Sequence, residues 1–174
     1  SDSTTRTLDI VAGSGDTTFS DAVGGSAALG NTTIGTAALD ATAIKVQGTL
    51  AITNSGAGAI TGIISNGSSA AIITKAGAGT LTLSGDNTYT GATTVNAGVL
   101  SITHADSLGA TDGATTVASG ASLQLSNAIN VADAITISGT GISNNGAIRS
   151  TSGNNTLSGL ITVAANMEIQ TDAD

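Results

Sequence analysis

Short runs of alternating apolar and polar residues recur along this chain, and clusters of Gly, Ser, Asn or Asp close each of them. The apolar pairs are Leu8 and Ile10, Leu50 and Ile52, Leu81 and Leu83, Leu100 and Ile102, and Leu123 and Leu125, followed by Ile148 and then Met167 and Ile169. Alternation over four to six residues, with Thr, Ile and Val throughout, predicts short strands with one buried face. The clusters between them, such as SGDN, NAG, SNG, SGNN and SNNG, supply residues that tolerate left-handed backbone at corners. No window carries a helical stripe with caps, and 38–44 and 103–110 are expected to form one turn at most.

The strands belong to a repeat. Aligning the Ser-Gly segments gives SGDTTFSDAVGG from Ser14, SGAGAITGIISN from Ser55, SGDNTYTGATTV from Ser84 and SGNNTLSGLITV from Ser152. Their sixth position holds Phe19, Ile60, Tyr89 and Leu157, so both aromatic residues of the chain fall in one register. The copies start 41, 29 and 68 residues apart, which fits two, one and three units of about 23 residues, with an insertion at Asn66 to Ser69. A unit of that length cannot bury its own apolar row, but stacked units bury a continuous column. The expected fold is all-β, a right-handed parallel β-helix of about seven coils of about 19–29 residues, with Leu50, Leu81, Leu100 and Leu123 among its inner positions. A spacing of about 4.8 Å per coil makes a rod of about 34 Å. A sandwich would call for paired hairpins around a wider core, and a propeller for a period nearer 45 residues.

Composition narrows the picture. Apolar residues make up 40% of the 174-residue chain, yet aromatics are 1% and charged residues 9%. Without large side chains only a narrow core fills at native density, as a solenoid requires. The net charge of -8, with four Lys plus Arg, argues against nucleic-acid binding, which needs clustered positive charge. No apolar run is long enough for a membrane-spanning helix, the first ten residues lack the basic start and apolar stretch of a signal peptide, and no cysteine staples the fold.

The stretch GTLTLSGDNTYTGATTVNAGVLSI, Gly79 to Ile102, resembles the passenger-associated repeats of autotransporters and related giant bacterial adhesins. HADSLGATDGATTVASGASLQL, His104 to Leu125, is similar to the stretch that often follows it. The resemblance implies a secreted or surface-displayed β-helical stalk of a Gram-negative bacterium, commonly adhesive.

Catalytic chemistry finds little footing. Lyases and hydrolases built on β-helices need clustered carboxylates with a basic partner. Here Asp9, Asp16, Asp21, Asp40, Asp86, Asp106, Asp112, Asp133 and Glu168 are scattered through turn contexts, with Asp106 and Asp112 able to meet on one loop. Lys75 and Arg149 are expected at solvated edges, and His104 at a surface corner, without a second His or Cys to share a metal. No catalytic residue, cofactor site or metal site is expected, and calcium-binding nonapeptides are absent. Thr80, Thr82, Thr93, Thr94, Thr115 and Thr116 suggest an ice-binding array, but in sequence the pattern does not recur in each unit. The expectation is therefore a non-catalytic structural protein of one module, residues 1–174, part of a longer stalk or a subunit that self-associates head to tail. An ice- or glycan-binding β-helix and a carbohydrate-active enzyme are the alternatives.

Overall fold

The computed structural model describes residues 6–172. In chain order the strands begin with β1 (Leu8–Val11), β2 (Thr17–Phe19), β3 (Thr32–Thr36), β4 (Leu39–Ala41), β5 (Ile44–Asn54) and β6 (Gly58–Ile60). Next come β7 (Ile64–Ala76), β8 (Thr80–Leu83), β9 (Thr93–Val95), β10 (Gly98–Ile102), β11 (Thr115–Val117) and β12 (Ala121–Leu125). The last are β13 (Asn130–Val131), β14 (Ile135–Gly139), β15 (Ile148–Ser150), β16 (Thr156–Leu157), β17 (Ile161–Met167) and β18 (Ile169–Thr171), with a 3-10 turn at Ile142–Asn144.

All strand pairs are parallel and join residues about one coil apart in sequence, which makes the chain a β-solenoid of about seven coils. One eight-stranded sheet runs β1-β3-β5-β7-β9-β11-β14-β17, and a second runs β2-β4-β6-β8-β10-β12-β15-β18. Register partners within the strands lie 18 residues apart at the closest, Thr32 to Leu50, and 28 at the widest, Gly139 to Met167 beyond a bulge. Short strands seven to ten residues apart in units of about 23 predict three strands per coil, but among the described residues the third side forms only the two-stranded pair β13-β16 and is otherwise irregular. Its course is held by side chains: Asn87 accepts from the Ile64 amide at 2.8 Å and donates to the Ser107 carbonyl at 2.6 Å, replacing ladder bonds with amide bonds.

Period-two alternation sends one set of side chains inward from each sheet, and stacking lines them up. In the first sheet one inward column is Ile10, Ile34, Ile52, Lys75, Val95, Val117, Ile137 and Val163. In the second, Leu81, Leu100, Leu123, Ile148 and Ile169 stack. The apolar pairs of the sequence thus belong to two sheets, with Leu8, Ile10, Leu50 and Ile52 in the first and Leu81 onward in the second. Met167 ends β17, and it is Ile169 that sits over Ile148. The extra residues after β6 lie where Val46 pairs with Asn66 and Gly48 with Ala71; Asn66 closes the bulge by accepting from the Ala71 amide at 2.8 Å.

Corners admit little beyond backbone. A Cβ on Gly85 would lie 2.2 Å from the Gly62 carbonyl oxygen, and one on Gly62 would lie 1.7 Å from that of Thr42. The coils approach too closely there for a side chain pointing along the axis.

Shortening a column residue should therefore be costly. Leu100→Ala, between Leu81 and Leu123 with no exposed surface, is expected to lose about 3 kcal/mol in urea unfolding. Leu100→Asp should not fold at neutral pH, because it buries an unpaired charge.

Candidate functional site

The four Ser-Gly segments occupy two different corners. Gly15 and Gly56 lie at the turn from the first sheet to the second, where the Ala37 amide donates to Gly15 and the Gly56 amide donates to Ala37. Ser84 and Ser152 instead follow strands β8 and β15 of the second sheet. Phe19 and Ile60 consequently share one column of the second sheet, with Ala41 between them. Tyr89 and Leu157 lie on the third side, where Leu157 pairs with Val131. The Tyr89 ring is fully buried, its hydroxyl is 2.7 Å from Thr93 Oγ1, and Gly109 leaves it room, since a Cβ there would lie 2.9 Å from two ring carbons. Burial raises its phenol pKa well above the ordinary value.

Lys75 departs most from its expected edge position. It occupies the inward column between Ile52 and Val95 with no exposed surface, and its Nζ donates to the carbonyls of Ala76 at 2.8 Å, Gly77 at 3.0 Å and Ala97 at 3.2 Å. All three ammonium donors are used, and two successive coils are tied together. Earlier coils satisfy the same corner with other donors: Thr36 Oγ1 lies 2.9 Å from the Gly15 carbonyl and 2.8 Å from that of Ala38, and Asn54 donates to Gly56 and Thr80. Desolvation lowers the Lys75 pKa from 10.5 to about 8. Arg149 is also not free in solvent; it forms a two-point pair with Asp172, with Nε to Oδ1 and Nη2 to Oδ2 both at 2.8 Å.

Among the described residues, Asp86, His104 and Asp106 bring ligand-capable atoms within 4.8 Å of one another. They stand on the corner after the second sheet in two adjacent coils, and Asp112 is not among them. The Asp106 amide donates to His104 Nδ1 at 3.2 Å, and all three side chains face solvent to some degree. Sequence spacing could not reveal this trio, because stacking rather than proximity in the chain joins Asp86 to the other two.

A shallow groove of about 370 Å³ is lined by Val23, Ile44, Lys45, Ile63 and Thr88 among others, and only Lys45 of its lining is charged. On the outer face of the first sheet, Thr74, Thr94, Thr116, Thr136 and Thr162 stack in five successive strands, with Thr33 further along the same column. Of the threonines singled out in the sequence only Thr94 and Thr116 join it, since Thr93 and Thr115 are buried and Thr80 and Thr82 lie on β8, yet the column does recur coil by coil. Its members are set 20 to 26 residues apart by coils of unequal length. Among the described residues no helix is long and apolar enough to cross a membrane.

A family model matches residues 73–102, under a fifth of the chain. That segment is similar to the passenger-associated-transport-repeat. It covers one full coil and the first two strands of the next, so the repeat stacks on itself, Lys75 on Val95 and Leu81 on Leu100. Lys75, its acceptor carbonyls and Tyr89 all lie within it. No match was found among curated proteins or among solved structures.

Lys75→Ala should lose about 3 kcal/mol in urea unfolding, by leaving a cavity and three corner carbonyls unpaired. Because the folded-state pKa is depressed, the unfolded chain binds more protons between about pH 8 and 10.5 and stability rises with pH there. Comparing urea midpoints at pH 8 and pH 10 should show that rise in the native chain and not in Lys75→Met.

Proposed function

We propose that the chain is a structural segment of an exported bacterial passenger, a β-solenoid stalk that holds an adhesive or other element away from the cell surface. The observation that carries this reading is the passenger-associated-transport-repeat at residues 73–102, which forms a complete coil within an uninterrupted parallel stack. Its mechanism is mechanical: continuous backbone ladders and buried aliphatic columns make a thin spacer that opens few backbone sites to proteases. The match to a passenger-associated-transport-repeat supports reading the chain as one exported to the surface of a Gram-negative cell.

The stack also favours extension. Val163 and Ile169 belong to inner columns yet are 55% and 48% exposed on the outermost strands, and a further coil would cover them. Leu8 and Ile10 lie in the columns that end in Ile161 and Val163, so a second copy placed head to tail would continue both. The threonine column favours a second reading, a face that binds ice or crystalline glycan.

Antibody raised against the chain should label intact cells that produce it; labelling only after permeabilisation would overturn surface display. Electron microscopy of the purified chain should show rods that lengthen with concentration, whereas uniformly short monomers would remove self-association. Thermal hysteresis in freezing solutions would favour the ice-binding face over the stalk.

A further inference from the structure

Two residues before the inner position of each first-sheet strand, successive coils place Ala71, Gly91, Gly113, Asp133 and Gly159 at the corner leaving the third side. A Cβ on Gly91 would lie 2.2 Å from the Ala71 carbonyl oxygen, one on Gly113 would lie 2.2 Å from that of Gly91, and one on Gly159 would lie 1.9 Å from that of Asp133. Asp133 is thus the one acidic side chain in a column of small residues, and it is only 3% exposed. Its Oδ1 has no hydrogen-bond partner. In the neighbouring inward column Thr115 has no exposed surface, and its Oγ1 is also unpaired. One coil earlier, Thr93 at the equivalent position is paired with the Tyr89 hydroxyl at 2.7 Å.

Tyr89, Thr93, Thr115 and Asp133 therefore share one part of the interior, and two of their atoms lack partners. The groups whose charge couples to Asp133 are Asp106, which disfavours its ionisation, and the Tyr89 phenol. Both are acids, so neither supplies a compensating positive charge. An ionised carboxylate offers only acceptors, whereas a protonated one is also a donor and can share a neutral bond with a hydroxyl. A buried charge with no counter-ion costs far more than a neutral carboxyl, and the group gains by moving to water or taking up a proton.

We propose that Asp133 is a proton-controlled latch: protonated, it closes the corner beside Thr115, and ionised, it loosens the coils that carry Thr115 and Ile135. Burial first, and then the field of Asp106, push its pKa up from 3.8 to about 7. Between those values the folded chain binds more protons than the unfolded one, so stability falls as pH rises. The rod is tightest in mildly acidic surroundings and loosens at this level near neutrality.

Urea unfolding of the native chain, Asp133→Asn and Asp133→Gly at pH 5 and pH 7.5 tests the latch. Asparagine keeps the shape without titrating, and glycine restores the residue that Gly91, Gly113 and Gly159 show the corner accepts. From pH 5 to pH 7.5 the native chain should lose about tenfold or more in its folding constant relative to either variant. Amide exchange at Thr115 and Ile135, corrected for pH, should speed up over the same range in the native chain alone. A native-minus-variant difference that stays constant with pH overturns the proposal. So does a carbon-13 titration of the native Asp133 carboxyl centred in the ordinary aspartate range, a measurement that holds even where a variant does not fold.

Discussion

Each coil must lie within hydrogen-bonding distance of the next along its two sheets, at about 4.8 Å, and this closeness governs the rest of the molecule. It turns a modest apolar content into a core, because residues 18 to 28 apart in the chain become van der Waals neighbours. It also explains the glycine content at corners: where a Cβ on Gly62, Gly85 or Gly113 would come within about 2.2 Å of the neighbouring coil's carbonyl oxygen, only a residue without a side chain lets the ladder continue. The same spacing makes the outer faces regular, so a threonine at one coil stands over a threonine at the next.

Close stacking leaves carbonyls pointing inward at corners, and the chain answers them with buried polar side chains. Thr36, Asn54 and Lys75 do this at one corner, and Asn87 and Ser107 at the next. Each tie joins neighbouring coils, so polar residues inside this solenoid serve the same end as its aliphatic columns. Lys75 is the extreme case, a cation accepted into the core because three carbonyls receive its three donors, although desolvation still weakens its hold on the proton. Asp133 lies in the same interior without such compensation, and that contrast makes one buried charge a fixture and the other a point of sensitivity.

A stack of this kind has the mechanics of a spacer. Its strength is distributed along the axis, each coil contacts only its neighbours, and the outermost apolar residues such as Val163 and Ile169 stay about half exposed. The similarity of residues 73–102 to the passenger-associated-transport-repeat supports the proposal that this mechanical design serves an exported protein.

Alternation and corner chemistry were legible in the sequence, because both are local: Leu81, Leu83, Leu100 and Ile102 alternate in any context, and Ser-Gly, Asn-Gly and Gly-Asn turns declare themselves by composition. From these follow parallel strands, short coils and a narrow aliphatic core. Which corner each turn makes was not legible, since Ser14 and Ser84 carry the same turn chemistry at different corners, and coils of unequal length defeat a fixed period. Nor could sequence show that Lys75 points inward, that Asp86 meets His104 and Asp106, or that Thr74 to Thr162 form one column. Local patterning determines what each segment can be, whereas the register between coils, set by the closure of the whole stack, decides which side chains meet.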